Sequence, residues 1–397
     1  MKKQLGFISA APRISTRPET QVPGPRTRVL GLIKGFEALD WEVKRFIIGD
    51  RVPQKLIESV PEKATNGKFF PTLAADLARL VLSTVNTQRS WQELGNQVDW
   101  AFEFAATMQS LGWKFKQHGI PWIIHTEGIH FQEAKAERKS LVLDGVARYR
   151  EIRSYQQCDA LVCVSETLKE LIVHESGVPP EKIVVIPNGV DTDIFDPKQY
   201  TPKRLFPGFT VGFVGGLYMW QAVDLLLEAV HDLRAEGMDL SVVVVGDGVM
   251  YETWRTQAES LGIADNVKFV GQVLWAEVPE YIAGFDVCYT GQVEIQQVGR
   301  MYHSPLKLYE YMAMAKPIVA SAFEDARRML QDGETGFLFE PGNKEDLKRA
   351  LTRAYHSQEQ LLFMGQQARE VVLAQHSWVA RVKTMIEGLE QILAKNQ

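Results

Sequence analysis

Between residues 209 and 320 short apolar runs alternate with helical periodicities, and this alternation restricts the fold more than any other feature of the chain. FTVGFV (209–214), LSVVVV (240–245), VKFV (267–270), DVCY (286–289) and PIVA (317–320) read as strands covered on both faces. The stretches 221–236 and 250–261 carry apolar residues at helical spacing. Strand and helix in regular turn predict a parallel, doubly wound α/β sheet. Two runs end in glycine, VGFVGG with Gly215 and Gly216 and VVVVGDG with Gly246. Glycine lets backbone approach a ligand at the C-terminal edge of the strands, where open α/β sheets bind theirs.

The first half opens in the same way, with a strand at 5–10, a helix from about Arg26 to Leu39 and a strand at 43–48. The loop TQVPGPRTR ahead of that helix holds one flexible joint, Gly24, and suits a plain connection as well as a phosphate loop. Residues 51–115 show helical periodicity and many aromatics, among them Phe69, Phe70, Trp91, Trp100, Phe102, Phe104 and Trp113, which are expected in the core. PWIIH (121–125) is a short buried strand, so His125 stands at a strand end, a ligand position. One long charged helix is expected over 133–157, then a strand at 160–164, a helix at 165–174 capped by Ser165, and a strand at 181–187. PNGVDTDIFDP (187–197) reads as a hinge, and its Asp191 and Asp193 suit a hydrated turn better than a metal site. The tail from Leu347 is helical, and its last helix, anchored by Trp378, is expected to cross back to the first domain. The resulting division is 1–200, 201–375 and a terminal helix at 376–397.

At 397 residues the chain exceeds one ordinary core. A net charge of −5 argues against a protein that binds nucleic acid by neutralising phosphates. Three cysteines, Cys158, Cys163 and Cys288, neither pair evenly nor show metal-ligand spacing, which fits reduced thiols in the cytoplasm. The N-terminal apolar run is too short for a secretion signal and no stretch approaches a membrane span, so any membrane contact would be peripheral.

The chemistry concentrates in SPLKLYEYMAMAKPIVA (304–320). Ser304 suits an N-cap and Pro305 the first helical position, which would leave the amides of Leu306 and Lys307 pointing out of a helix N-terminus toward an anion. Lys307 adds a positive charge, and Glu310 is a carboxylate able to accept two hydrogen bonds from a vicinal diol. Phosphate at the cap and ribose at the carboxylate describe a nucleotide.

Together, SETLKELIVHESGVPPEKIVVIPNGVDTDIFDP, FVGGLYMWQAVDLLLEAV, VVVVGDG, VKFVGQV and SPLKLYEYMAMAKPIVA resemble the retaining glycosyltransferases of family 4, closely from about 158 to 380. The resemblance implies a GT-B fold, two Rossmann-like domains, the C-terminal one holding a nucleotide sugar, with no metal or other cofactor required. By that resemblance Glu310 is the second glutamate of an E-x7-E motif and binds the ribose, while Ser304, Leu306 and Lys307 hold the diphosphate. Gly215 and Gly216 are the glycines after the domain's first strand, His125 lies near the transferred sugar, Gly24 marks the N-terminal glycine loop, and backbone around Gly271 to Val273 reads the base. Three departures stand out: Tyr302 replaces the first glutamate, whose role toward the sugar hydroxyls passes to His303 or to backbone amides or is lost, and Gly216 and Gln221 replace the basic clamp, leaving the charge to Lys307 with Arg300. Lys307 and Trp220 fit the pattern of enzymes that build bacterial exopolysaccharide and envelope sugars. The expected reaction is transfer from UDP-glucose to a saccharide or lipid-linked acceptor; the alternative is a non-catalytic relative that binds a sugar nucleotide and acts in assembly.

Overall fold

The computed structural model describes residues 2–17, 23–53, 68–136, 139–294 and 300–395, which form two compact units. The first unit is Met1–Pro187 with Tyr302–Ser304 and Trp378–Gln397; the second is Asn188–Met301 with Pro305–Ser377. The division between the units falls at Pro187, inside the hinge-like run, and Val190 lies with the second unit: its amide donates to the His376 carbonyl at 3.0 Å. Asp191 stands in a turn, its side chain accepting the Asp193 amide at 3.1 Å.

The first unit holds strands β1 (Gln4–Ser9), β2 (Glu42–Ile47), β3 (Trp100–Phe104), β4 (Trp122–His125), β5 (Ala160–Cys163) and β6 (Ile183–Val185) in one parallel sheet ordered β2-β1-β3-β4-β5-β6. Its helices are α1 (Pro23–Ala38), α2 (Phe69–Leu94), α3 (Trp113–Gln117), α4 (His130–Ala136), α5 (Asp144–Gln157), α6 (Glu166–Ser176) and the C-terminal α14 (Trp378–Lys395). Two readings of the sequence are corrected here. WAFEF, taken as helical, is a central strand, and its wholly buried run lacks the alternation that would have marked it. The single helix expected over 133–157 is two, α4 and α5, because Asp76 accepts the amides of Val142 and Leu143 at 2.8 and 2.9 Å and so holds the chain in a turn ahead of α5. Of the aromatics expected in the core, Phe69, Phe70 and Trp113 are exposed.

The second unit winds β7 (Phe209–Val214), β8 (Leu240–Val245), β9 (Val267–Gly271), β10 (Val287–Thr290), β11 (Ile318–Ser321) and β12 (Gly336–Phe339) into a parallel sheet ordered β12-β11-β10-β7-β8-β9. Helices α7 (Val223–Ala235), α8 (Tyr251–Ser260), α9 (Val278–Ala283), α10 (Leu306–Ala313), α11 (Glu324–Met329), α12 (Lys344–His356) and α13 (Gln358–Gln375) accompany it. Two apolar clusters form, one containing Phe213, Val242 and Leu351, the other Val243, Tyr309 and Met312. Adjacent strand residues Val242 and Val243 point into different clusters, which is why these strands read as unbroken apolar runs.

Helix α14 joins the first unit by lying on α1. A Cβ at Gly31 would stand 2.2 Å from the Trp378 indole, and one at Gly35 2.5 Å from Val382, so the two glycines let the helices meet closely. We predict that Gly31→Ala destabilises the protein by about 1–3 kcal/mol of overpacking, less the ~1 kcal/mol that alanine gains in a helix. In a Trp378→Ala background the same change becomes neutral or stabilising. Denaturant titration of the four species of this cycle measures the coupling, and additive effects would contradict the contact.

Candidate functional site

In the second unit the strand order reverses between β7 and β10, and at such a reversal open α/β sheets take ligands beyond the strand C-termini. Gly215 directly follows β7 with φ +144°, and its amide donates to the Val245 carbonyl at 2.9 Å. A Cβ on Gly215 would lie 2.9 Å from Lys307 Nζ, so the glycine makes room for an ammonium group. Lys307 Nζ donates to Gln221 Oε1 at 2.8 Å and sits 3.7 Å from the centroid of the Phe213 ring. The Lys307 side chain is 8% exposed, and burial drives its pKa well below the usual lysine value, with Glu310 pulling the other way. Burial likewise raises the Glu310 carboxyl to about 7, opposed by Lys307.

Helix α10 begins at Leu306, one residue later than the sequence suggested. Pro305 occupies the cap position without a side-chain hydrogen bond, and Ser304 is no cap but a buried member of the first unit. The amides of Leu306 and Lys307 lie before the first amide of the turn to bond, Leu308 to the Pro305 carbonyl at 3.2 Å, and face outward as expected of a helix start.

The other residues singled out from the sequence divide. Gly246, with φ +133°, donates its amide to the Gly271 carbonyl at 2.9 Å, and a Cβ there would stand 2.0 Å from the Gly215 carbonyl oxygen. Its glycine is thus required by the packing of turn on turn, whereas Gly271, with φ +80°, borders open space. At Gly216 a Cβ would meet the Tyr218 ring at 2.6 Å, and that ring stacks on Trp220 with centroids 4.6 Å apart. The Val273 side chain packs partly buried on the core, and Arg300 is exposed. Gln221, named from the sequence as a donor-site residue in place of a basic clamp, holds Lys307, whereas Phe213, two residues before Gly215, escaped the sequence reading and supplies the ring beneath the ammonium.

The first unit carries a second polar cluster. His125 closes β4, is 2% exposed, and neither ring nitrogen has a hydrogen-bond partner among the described residues. Its ring lies between those of Phe102 and Phe104, at 5.8 and 5.1 Å, and Nε2 is 3.7 Å from Glu127 Oε1. Burial first, then Arg28 and His130, push its pKa down to about 3, so the imidazole is neutral. Arg28, on α1, forms an ion pair with Glu127. Gly24 lies four residues before Arg28, inside α1 and not in a loop, since the helix starts at Pro23.

The segment Tyr302–Ser304 is fixed within this unit. Ser165 Oγ, the cap of α6, donates to the Tyr302 carbonyl at 2.7 Å and accepts the Leu168 amide at 3.0 Å. Tyr302 Oη donates to Glu133 Oε1 at 2.9 Å, so a carboxylate reaches this position from α4. The His303 ring lies 4.4 Å from that of Tyr302, tilted by 41°, and burial lowers its pKa, with Glu133 opposing and Arg28 adding to the shift.

Among the described residues no three His, Cys, Asp or Glu side chains gather as metal ligands, and no helix is long and apolar enough to cross a membrane. The three cysteines are buried free thiols.

Comparison with known proteins places these features. Residues 23–194 match the model described as Glycosyltransferase Family 4, and residues 204–371 the model described as Glycosyl transferases group 1. The putative glycosyltransferase EpsD of Bacillus subtilis is 25% identical over 266 residues, 65% of this chain and 66% of that protein. A GDP-mannose-dependent alpha-(1-6)-phosphatidylinositol monomannoside mannosyltransferase of Mycobacterium tuberculosis is 28% identical over 232 residues, 55% of this chain and 58% of that protein. The match thus spans less than two thirds of each of these relatives. Among solved structures, a glycosyltransferase from Rickettsia africae superposes with TM-score 0.70 at 16% identity, covering 100% of both chains. Anabaena HepE in complex with UDP-glucose superposes with TM-score 0.64 at 15% identity, covering 98% of this chain and 99% of its own. Two family models in tandem, one over each half, and an end-to-end likeness of fold lead to one conclusion: the chain belongs to family 4 of the glycosyltransferases and has the GT-B fold.

Proposed function

We propose that the protein is a retaining glycosyltransferase that moves glucose from UDP-glucose to a saccharide or lipid-linked acceptor in polysaccharide or envelope biosynthesis. The observation that carries this reading is Lys307, a buried ammonium held by Gln221 and Phe213 beside the side-chain-free turn at Gly215. Such a cation at a helix N-terminus suits a diphosphate better than a neutral ligand. Support for a uridine donor comes from HepE, solved with UDP-glucose, while the mycobacterial relative is named for GDP-mannose.

In this reading Leu306 and Lys307 amides and the Lys307 ammonium receive the charge that grows on the diphosphate as its oxygen leaves the anomeric carbon. Each well-placed donor of this kind is worth roughly 3 to 4 kcal/mol to a transition state. The acceptor hydroxyl attacks the face that the diphosphate leaves, and its proton passes to the departing phosphate oxygen. The bond to the acceptor oxygen replaces the bond to phosphate, and configuration is retained. Glu310 accepts the ribose hydroxyls, and Arg300 adds charge near the diphosphate. Gly216, Gly246, Gly271 and Val273 contribute backbone to the donor pocket. On the acceptor side His125 and His303, both held neutral by burial, orient hydroxyl groups, and Gly24 leaves open space at the start of α1. With the charge met by Lys307 no metal is needed, and reduced, buried thiols suit a cytoplasmic enzyme.

A second reading, a sugar-nucleotide-binding assembly protein without turnover, is favoured by one observation: the phenol of Tyr302 stands where the family has a glutamate, and its hydroxyl is engaged by Glu133. Release of UDP from UDP-glucose in the presence of acceptor separates the two readings, since a binder releases none. We predict that Lys307→Ala lowers the rate of that release about a hundredfold or more with cooperative thermal unfolding preserved; near-normal release would sink the assignment. Glu310→Ala should weaken UDP binding roughly 10- to 100-fold in calorimetry, the worth of a hydrogen bond to a charged group, and an unchanged affinity would count against ribose recognition.

A further inference from the structure

Helix α2 is built inside out. From Thr72 to Ser90 its buried positions are polar, Thr72, Asp76, Ser83, Asn86, Thr87 and Ser90, with Leu94 in the core at its end, and its large exposed side chains include Phe69, Phe70, Leu77, Val81, Leu82 and Val85. The orientation is fixed by specific bonds on the inner side: Asp76 accepts the amides of Val142 and Leu143, and Arg150 Nη2 donates to Ser83 Oγ at 2.9 Å. Rotating the helix to hide the apolar face would leave Asp76 and those two amides without one another, a cost of several hydrogen bonds. The outer face is therefore a property of the fold. Phe70 is 79% exposed and Val81 65%, and nothing among the described residues covers them.

Its margins carry an excess of cations. Among residues 69 to 92 the one acid is the buried Asp76, and Glu93 beyond them pairs with Arg51. Lys68 and Arg89 are exposed at the two ends, and the neighbouring α3 adds Lys114 and the half-exposed Trp113. The helix has 26 residues, about 39 Å at 1.5 Å per residue, yet it lacks the apolar length to span a bilayer. Aromatic and aliphatic side chains on one face, cations at its margins and a hydrogen-bonded polar back describe a helix that lies in a membrane interface.

We propose that α2, with Trp113 and Lys114, docks the protein on an anionic lipid bilayer, its apolar face entering the boundary between headgroups and acyl chains. The proposal does not depend on the transferase reading, because its readout is binding. The full-length protein is floated with vesicles of phosphatidylcholine containing phosphatidylglycerol and with vesicles of phosphatidylcholine alone. Flotation is expected with the first and markedly less with the second, and it should weaken at about 0.5 M salt, where charge is screened within a few ångströms. Phe70→Ser/Val81→Ser should lower vesicle partitioning roughly tenfold or more at unchanged circular dichroism, and Lys68→Glu/Lys114→Glu, which leaves the apolar face intact, should abolish the preference for anionic vesicles. Absence of flotation with phosphatidylglycerol vesicles, or flotation that both double variants retain, overturns the proposal. So does a concentration-dependent dimer in sedimentation equilibrium that dissociates in Phe70→Ser/Val81→Ser, since the face would then belong to a second copy.

Discussion

An ammonium group buried with one amide oxygen and one aromatic face is the constraint on which the second unit's site depends. Lys307 has Gln221 and Phe213 as its partners and is almost wholly withdrawn from water, so its charged form is disfavoured until an anion arrives. The surrounding backbone is arranged for it. Gly215 lacks the side chain that would occupy the ammonium's place, Gly246 lacks the one that would strike Gly215, and the two turns hold each other at the end of a sheet whose order reverses beside them. A site so organised spends folding stability on a group whose charge is useful with ligand present.

The histidines of the first unit follow a complementary logic. His125 lies beside Phe102 and Phe104 with neither ring nitrogen hydrogen-bonded among the described residues, and its pKa near 3 keeps it neutral. Near that histidine Arg28 pairs with Glu127, while Glu133 meets the Tyr302 hydroxyl.

Much of this was legible in the sequence. Apolar runs ending in glycine announced β7 and β8, and Lys307 and Glu310 stood out by their spacing from a helix start. What was not legible had physical reasons. The WAFEF strand is buried on both faces and gives no alternation, and the cap of α10 fell to Pro305 because Ser304 is held in the other unit. Gln221 looked like the loss of a cation, because sequence displays the missing charge and hides the contact that replaces it. For α2 the apolar residues at helical spacing were visible, but which face turns inward was decided by bonds to residues far along the chain, Val142, Leu143 and Arg150.

The central claim is that Lys307 awaits a diphosphate, and proton linkage tests it most directly. Calorimetry of UDP binding at pH values stepped upward from neutral, each repeated in buffers of different ionisation enthalpy, counts the protons taken up. A ligand that raises a depressed lysine pKa must bring a proton with it. The account predicts net uptake that is lost in Lys307→Met; binding enthalpies independent of buffer, or an uptake that survives in that variant, would contradict it.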